Sequence, residues 1–298
     1  MAILLLLAFI FFTVIWIRKT QYEKTPYYIQ TKNSWWKVHS DKGLAGEFAA
    51  FQCLRTLKGY KRFLFNLYVP KENGETTEAD LVLLHESGIY VLESKNYSGW
   101  IFGTETQTYW TQTLRSGRGK AKKEQFYNPI LQNKGHLKWL QSFLADQTLP
   151  FYSCIVFSDH CTLKNITLTS GKHCVVNQSG LLHAVRQNIG KTGPALSPAR
   201  IDALYTKLYP LTQADAAQKA LHIKNIEQKK QSITSCPRCG GKLILRTAST
   251  GSRQGKRFIG CSNYPGCRYI QNLADSEDLH RLPSASRETR SDNVMPSK

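Results

Sequence analysis

The alternation of apolar and polar positions divides the chain into segments with different predicted structures. The first segment, Ala2 to Ile17, is an uncharged apolar run of 16 residues, just short of a typical membrane-spanning helix. From Gly43 to Leu57, apolar residues recur at helical spacing, which predicts an amphipathic helix. Short apolar runs then predict strands at residues 63–69, 79–85 and 89–95.

Later segments continue this mixture of helices and strands. The pattern predicts strands at 152–157 and 173–176 and helices at 129–144, 181–187 and 198–208, which complete an α/β domain near Leu211. We therefore expect a transmembrane anchor (1–19), a juxtamembrane linker (20–37), an α/β domain (38–211), a helical linker (212–232), a small cysteine-rich module (233–272) and a disordered polar tail (273–298).

The chain is strongly basic. It has 40 Lys and Arg against 21 Asp and Glu, a formal net charge of +19, while 41% of its residues are hydrophobic. That hydrophobic fraction excludes a largely disordered basic protein. The excess positive charge indicates a polyanionic partner, either nucleic acid or the anionic surface of a membrane.

The flanks of the N-terminal apolar run favour a retained anchor over a cleaved signal peptide. No basic residue precedes the run, and it ends in Trp16-Ile17 rather than in small residues. Arg18 and Lys19 follow directly. The positive-inside rule therefore predicts a single span of the inner (cytoplasmic) membrane, with the N-terminus outside and the other domains in the cytoplasm. A short buried helix is the alternative.

Four of the eight cysteines have the spacing of a metal site. Two residues separate the first pair, 21 residues follow, and five residues separate the second pair. Zinc takes four thiolates in a tetrahedron, and a Cys-x-x-Cys turn presents two of them. A segment this small buries too little apolar surface to fold alone, so zinc would supply much of its stability. The predicted ligands of this structural zinc are Cys236, Cys239, Cys261 and Cys267.

The segment around these cysteines resembles a known module. The sequences CPRCGGKLILR and GKRFIGCSNYPGCRY, within about residues 234–272, are similar to the four-cysteine zinc finger of type IA DNA topoisomerases. The resemblance implies binding of single-stranded DNA, with bases stacked on aromatic rings and phosphates paired with cations. A purely structural or protein-binding zinc ribbon is the alternative. The candidate DNA contacts are Arg238, Lys242, Arg246, Arg253, Lys256, Arg257, Phe258, Tyr264, Arg268 and Tyr269.

Two of the predicted strands carry charged residues that a hairpin brings together. Glu93 and Lys95 are two positions apart and point to the same face of their strand. A Glu86-Ser87 loop places Asp80 opposite Glu93, whereas a Ser87-Gly88 loop places Asp80 opposite Lys95. Either loop gathers two carboxylates and an ammonium on one face, whereas a three-residue loop with a bulge leaves the register open.

Glu47 is a third carboxylate in an unusual position. It lies on or beside the apolar stripe of the predicted helix at 43–57, where an unpaired charge is costly. Adjacent carboxylates repel, and a hard divalent cation relieves the repulsion. Such an ion polarises a phosphodiester and lowers the pKa of a bound water, while a neighbouring lysine neutralises charge on the phosphate. The pattern indicates metal-dependent phosphodiester hydrolysis, although the D…ExK spacing alone is also common on solvated strand edges.

The surrounding sequence resembles the nuclease-related domain (NERD) family. The resemblance covers about residues 38–160 and rests on GLAGEFAAFQCL, TTEADLVLLHESGIYVLESKNYSGWIFG and YNPILQNKGHLKWL. This family is similar to the restriction-endonuclease-like (PD-(D/E)xK) superfamily, which implies a mixed sheet flanked by helices. Ala79 stands where the superfamily motif has proline. The resemblance implies that a catalytic Mg or Mn ion is bound by Asp80, Glu93 and Glu47, that Lys95 is the motif lysine, and that Gln132 is the polar residue of the following helix.

A dense basic stretch before the predicted helix at 129–144 is a further candidate for nucleic-acid binding. Gly117 and Gly119 indicate a flexible loop, which either grips phosphate beside the site or is a solvated linker. His85 and His136 lack metal-ligand spacing and are interpreted as ordinary structural residues. The cations of the stretch are Arg115, Arg118, Lys120, Lys122 and Lys123.

These observations lead to one principal hypothesis and two alternatives. The principal hypothesis is a membrane-tethered, metal-dependent nuclease of DNA processing or repair, whose zinc finger holds single-stranded or duplex DNA near the catalytic domain. The second is a catalytically inactive DNA-binding or sensing membrane protein that keeps the nuclease fold as a scaffold. The third is a lipid-surface protein whose basic residues bind acidic headgroups. The sequence has no phosphate-binding glycine loop, so no nucleotide cofactor is expected.

Overall fold

The computed structural model describes residues 1–115, 121–234, 236–248, 254 and 257–272. The chain divides into two compact units, Met1–His222 and Ile223–Lys298, which are described separately. Several predictions lie outside the described residues: the tail at 273–298, the DNA contacts Arg118, Lys120, Arg253 and Lys256, and the side chain of Arg257.

The first unit is a mixed α/β fold, which confirms the predicted fold class. Its helices are α1 (Ala2–Glu23), α2 (Pro26–Thr31), α3 (Trp35–Ser40), α4 (Lys42–Leu54), α5 (Pro129–Leu144), α6 (Gln178–Thr192), α7 (Pro198–Leu208) and the first part of α8 (Ala216–Thr234). Its strands are β1 (Lys61–Pro70), β2 (Thr76–His85), β3 (Gly88–Lys95), β4 (Gly99–Thr104), β5 (Tyr109–Arg115), β6 (Ala121–Tyr127), β7 (Phe151–Phe157), β8 (Cys161–Thr167) and β9 (His173–Asn177).

The main sheet has the strand order β1-β2-β3-β7-β9. The β1–β2 and β2–β3 pairs are antiparallel, whereas the β3–β7 and β7–β9 pairs are parallel. Helices α4 and α6 pack on one face of the sheet through Phe51 and Leu181. Helices α5 and α7 pack on the other face through Leu140 and Ile201. Because helices cover both faces, the central strand β3 is buried from Gly88 to Glu93.

The sequence pattern did not predict a second sheet, which has the order β6-β5-β4-β8. Trp110 of β5 is fully buried and stacks on Phe157 of β7, with ring centroids 6.0 Å apart. The prediction of a flexible loop from Arg115 to Lys123 is therefore partly wrong. Lys122 and Lys123 belong to β6 and pair with β5, because the hydrogen-bonded ladder continues to Arg115 and Ala121.

Residues 20–37, predicted as a juxtamembrane linker, are instead part of the folded unit. They form the end of α1, all of α2 and the start of α3. The ring of Tyr27 is fully buried and lies 4.9 Å from the ring of Phe65 in an edge-on contact. The side-chain amide of Gln30 donates to the carbonyl of Phe63 and accepts from the amide of Phe65. These contacts bind the segment to β1 and explain why it does not behave as a linker.

Helix α1 contains the only segment of the described residues that is long and apolar enough to cross a membrane. This segment, Ile3–Glu23, has a mean hydropathy of 2.0, and none of its most apolar window is buried within the protein. Its large apolar side chains are exposed, including Phe9, Phe12 and Trp16. The length and composition of this helix fit a membrane span and equally fit a signal sequence.

The second unit contains a small antiparallel sheet. Its strands, in the spatial order β10-β11-β12, are β10 (Leu243–Thr247), β11 (Arg257–Cys261) and β12 (Ile270–Asn272). Leu243 and Ile259 are buried among Cys236, Cys261 and Cys267. So few buried apolar side chains make the cysteine cluster the centre of this unit.

Candidate active site and zinc centre

The β2–β3 hairpin decides between the predicted loops. His85 pairs with Gly88 and Leu81 pairs with Leu92, so the loop is Glu86-Ser87. Continuation of this register places Asp80 beside Glu93, and the backbone N–H of Ser94 donates to Oδ2 of Asp80 at 2.9 Å. The Ser87-Gly88 loop is therefore excluded. Asp80 and Glu93 lie next to each other where β2 and β3 end their pairing.

Lys95 bridges the hairpin and helix α5. Its Nζ donates to Oε1 of Glu93 at 2.6 Å and to Oε1 of Gln132 at 3.0 Å. Asn128 caps α5 by accepting the N–H of Ile130, and a proline follows at the first helical position. The cap and the proline fix the N-terminus of α5, so that Gln132, in the first turn of the helix, faces Lys95 of β3. The structure thus brings together Glu93, Lys95 and Gln132, three of the residues that the sequence singled out.

His136 is a further member of this cluster that the sequence analysis assigned to an ordinary structural role. Its Nε2 lies 3.2 Å from Oε2 of Glu93, and its Nδ1 lies 2.7 Å from the hydroxyl of Thr77. Because a carboxylate only accepts, Nε2 is the donor in the contact with Glu93, and Nδ1 forms the second hydrogen bond of the ring, with the Thr77 hydroxyl. His136 follows Gln132 by four residues, so both lie on one face of α5. The four-residue spacing from Gln132 is the feature of the sequence that could have indicated a place for His136 in the site.

Glu47 approaches the cluster from α4 on the other side of the sheet. Its Oε2 is buried and, among the described residues, has no hydrogen-bond partner. A Cβ atom added to the neighbouring Gly46 would lie 2.8 Å from Oγ of Ser94, so α4 packs directly on β3 at this point. Burial, together with the charge of Asp80, raises the pKa of Glu47 well above its usual value. An unpaired buried carboxylate is costly unless a cation compensates it.

The carboxylates of the hairpin have opposite electrostatic environments. Burial and the adjacent Glu93 charge raise the pKa of Asp80 well above its usual value. Burial acts in the same direction on Glu93, but Lys95 and His136 outweigh it and lower the pKa of that carboxyl. Burial alone would lower the pKa of Lys95, and the charges of Glu93 and Asp80 raise it instead. Glu93 is therefore the stable anion of the site, whereas burial and repulsion favour the neutral forms of Asp80 and Glu47 as long as no cation compensates their charge.

These donors fit a hard divalent cation in chemistry. Carboxylate oxygens are the ligands that Mg and Mn prefer. Oε2 of Glu47, which has no hydrogen-bond partner among the described residues, is an acceptor that a cation would satisfy. Their spacing is looser than that of a formed metal cluster. Within the described ranges, the only set of three or more His, Cys, Asp or Glu ligand atoms lying within 4.8 Å of one another is the four-cysteine cluster.

The four cysteine sulfurs fit zinc in both chemistry and spacing. All four lie within 4.8 Å of one another, with 3.4 Å between Sγ of Cys239 and Cys261 and 3.7 Å between Sγ of Cys236 and Cys267. A tetrahedral zinc with Zn–S bonds of about 2.3 Å requires sulfur separations of about 3.8 Å. A hydrogen bond from the backbone of Gly241 lowers the pKa of Cys239 to about 7, which favours its thiolate. The cluster is a structural zinc-binding site.

The predicted DNA contacts of the zinc module differ in solvent exposure and in their contacts within the module. Arg238, Lys242 and Arg268 are exposed, as is 61% of the Tyr264 side chain. Arg246 instead packs within the module. Its Nη2 donates to the carbonyl of Cys261 at 3.3 Å, and its guanidinium lies 5.8 Å from the ring centroid of Tyr264. Phe258 and Tyr269 are half-buried.

Two family models match separate parts of the chain. The nuclease-related domain model matches residues 42–158, which include Glu47, Asp80, Glu93, Lys95 and Gln132. The model of the topoisomerase DNA-binding C4 zinc finger matches residues 233–276. A Bacillus anthracis protein described only as uncharacterized is 31% identical over 189 residues, 63% of this chain and 85% of the relative.

Other relatives match the zinc module and its surroundings. DNA topoisomerase 1 of Archaeoglobus fulgidus is 33% identical over 89 residues, which are 30% of this chain and 13% of the topoisomerase. The Escherichia coli protein YrdD, also uncharacterized, is 44% identical over 46 residues, which are 15% of this chain and 23% of YrdD. No solved structure matches the chain.

Fold and sites together define an α/β nuclease-related protein with a separate DNA-binding zinc ribbon. The chain belongs to the nuclease-related domain family and carries a topoisomerase-type four-cysteine zinc finger.

Proposed function

We propose that this protein is a membrane-tethered, metal-dependent nuclease that hydrolyses phosphodiester bonds of DNA. The observation that carries the proposal is the meeting of Asp80, Glu93 and Lys95 at the end of the β2–β3 hairpin. Glu47, whose buried Oε2 has no hydrogen-bond partner among the described residues, lies on the helix that packs against β3 beside this point. The match to the nuclease-related domain supports it.

Each residue of the site has a distinct task in this proposal. Asp80, Glu93 and Glu47 would hold a Mg or Mn ion, which when bound polarises the phosphodiester and lowers the pKa of a bound water. The Lys95 ammonium lies at the same face and neutralises the negative charge that develops on the phosphate. Gln132 fixes the direction of Lys95, and His136 fixes the second oxygen of Glu93.

The zinc module supplies DNA binding in the same proposal. Exposed Arg238, Lys242 and Arg268 are available to phosphates, and the exposed ring of Tyr264 is available to a base. Covalent linkage of two binding modules raises the effective concentration of each for a site held by the other. Two weak interactions, one at each module, then combine into tight binding of a single DNA molecule.

Helix α1 is the membrane tether in this proposal. Its apolar segment has the length of a span, and Arg18 and Lys19 follow the uncharged run. The positive-inside rule then directs the N-terminus outside and the chain that follows α1 to the cytoplasm.

A nuclease assay tests the proposal. The full chain is incubated with single-stranded, duplex and nicked DNA, with Mg or Mn and with a chelator. We expect cleavage that requires the ion and falls at least about 10²-fold in Glu93→Gln and Lys95→Ala, because each removes a group at the reacting phosphate. Glu72→Gln, at an exposed position before β2, is the matched control. Unchanged cleavage in Glu93→Gln would refute the site.

One observation favours a second function, a DNA-binding protein without catalysis. Both oxygens of Glu93 already have partners, Lys95 and His136. If those contacts persist on DNA, Glu93 has less capacity for an ion. This alternative predicts tight, salt-dependent DNA binding with no cleavage by the purified chain, and Glu93→Gln would leave the binding unchanged.

A further inference from the structure

A second concave site lies at the C-terminal end of α1, apart from the β2–β3 hairpin. It is a cavity of about 680 Å³, within the range of small-molecule sites. Four helices contribute to its wall, α1 through Arg18, α2 through Pro26, α3 through Trp35 and α4 through Arg55 at its C-terminal end, and β1 adds Phe63. The proposed nuclease function leaves this cavity without a role.

The charge of the cavity is positive. Arg18, Lys24 and Arg55 line it together with His39, and none of the described residues in its wall is acidic. In the part of the chain that the structure describes, none of the three permanent cations forms an ion pair. Arg55 donates one hydrogen bond, to Oε1 of Gln52 at 2.8 Å. Most of its guanidinium N–H groups therefore remain for an anion.

The floor of the cavity is apolar and aromatic. Phe48, Phe51 and Phe63 line it beside Trp35. The ring of Trp36 lies 4.7 Å from that of Trp35 and is 59% exposed. Exposed tryptophan beside cations is typical of the membrane–water interface, where one end of a ligand is apolar and the other is charged.

The position of the cavity along α1 fits the headgroup layer of a bilayer. The uncharged run ends at Ile17, directly before Arg18. From Arg18 to Lys24 the helical rise is about 9 Å. The polar layer on each side of the hydrocarbon core is about 5–8 Å thick. A helix that buries its apolar run in the hydrocarbon thus holds Arg18 within the headgroup layer and Lys24 near the outer edge of that layer.

We propose that this cavity binds the phosphate-bearing headgroup of an anionic phospholipid from the membrane that α1 enters. The cations bind the phosphate, and the aromatic floor contacts the glycerol and the start of the acyl chains. This inference rests on the proposed tethering by α1. DNA is the less favoured polyanion here, because the wall of the cavity includes the end of the membrane segment itself.

Lipid retention tests the inference on the full chain. The chain is placed in nanodiscs with equal amounts of phosphatidylglycerol and phosphatidylcholine, and native mass spectrometry counts the lipids released with it. We expect phosphatidylglycerol to be retained preferentially, and Arg55→Gln and Lys24→Gln each to weaken that retention about fivefold. Lys58→Gln removes an exposed cation outside the cavity wall and serves as the control, with retention unchanged.

Four results would overturn the inference. Equal retention of the two lipids, or equal losses in Arg55→Gln and Lys58→Gln, would remove the headgroup site and leave the tether intact. Binding of inorganic phosphate to the detergent-solubilised chain, lost in Arg55→Gln, would identify a site for a free anion instead. Failure of the chain to enter vesicles of either lipid would refute the tether itself, and nuclease assays in solution would be unaffected by that outcome.

Discussion

Nε2 of His136 lies 3.2 Å from Oε2 of Glu93, and Nδ1 of the same ring lies 2.7 Å from the hydroxyl of Thr77. The imidazole therefore fixes the Glu93 oxygen that Lys95 does not contact. Both His136 and Glu93 are buried, so the contact is shielded from water. A partner that orients a metal-binding carboxylate affects metal affinity even though it does not touch the ion.

We expect His136→Ala to raise the metal concentration needed for half-maximal cleavage about 10- to 100-fold, because Glu93 is then free to turn away from the site. The measurement is a Mn titration of cleavage rate, with circular dichroism to check folding. His183→Ala, on the exposed face of α6, is the control. A fall in rate with no change in metal dependence would contradict the orienting role.

Glu47→Gln is expected to stabilise the protein in a chelator. Oε2 of Glu47 is buried without a partner, so replacing the carboxylate by an amide removes a buried charge and raises the free energy of unfolding by roughly 1–2 kcal/mol at pH 8. The same change should abolish the increase in Tm that Mg or Mn gives to the parent protein. Differential scanning fluorimetry measures both, with Glu72→Gln alongside. Destabilisation of Glu47→Gln in chelator would show that the charge is already compensated.

The pH dependence of stability should report on Glu105, which follows β4. Its Oε2 accepts the backbone N–H groups of Thr169 at 2.6 Å and Ser170 at 2.8 Å. Hydrogen bonding from Ser170 and Thr169 lowers the pKa of Glu105 to about 2. The unfolded pKa is about 4.3, so the contribution is fully present above that pH and is lost as the pH falls toward 2. We expect Glu105→Gln to be less stable than the parent in urea at pH 7 and equal to it near pH 2. A constant difference across this range would contradict the assignment.

Part of the fold can be predicted from local sequence, because capping residues mark where some helices begin. Helices α5 and α7 begin with Asn128-Pro129 and Ser197-Pro198, caps followed by proline, and their predicted bounds match the structure. The sequence left the β2–β3 register open between two two-residue loops and a three-residue loop with a bulge, because the turn residues alone allow each of them.

The second sheet and the role of His136 are not local properties. Strands β4 and β5 alternate buried with half-buried or exposed residues without a matching alternation of apolar and polar types. Trp110 of β5 packs on Phe157, which is distant in sequence. The partner of His136, Glu93, is 43 residues away. Such contacts arise only when the main sheet places β3 and α5 side by side.

Removal of zinc should unfold the zinc module alone. Cys239→Ser is expected to lose the bound zinc and the slow hydrogen exchange of β10 and β11, because the module buries few apolar side chains of its own. Exchange in the first unit should not change. Cys53→Ser, at a half-buried cysteine outside the cluster, is the matched control. Retention of stoichiometric zinc by Cys239→Ser would contradict the four-cysteine assignment.

Arg246 and Lys242 should behave differently when neutralised, although both are cations of the zinc module. Arg246 is bonded to the carbonyl of Cys261 and lies over the ring of Tyr264, so Arg246→Gln should lower the thermal stability of the module. Lys242 is exposed, so Lys242→Gln should leave stability unchanged and reduce the salt dependence of single-stranded DNA binding by about one phosphate contact. Equal effects of the two changes on both measurements would contradict this division.

Strand β6 forms one edge of the second sheet and exposes consecutive Ala121, Lys122 and Lys123. An open strand edge presents unpaired backbone groups that can join the edge of another molecule. Lys122 pairs with Glu124 of the same strand, whereas Lys123 has no ion pair in the part of the chain that the structure describes. A second copy would bring its own Lys123 against that ammonium, so we expect this positive charge to oppose joining of two molecules through their sheets, an effect that requires no anionic partner.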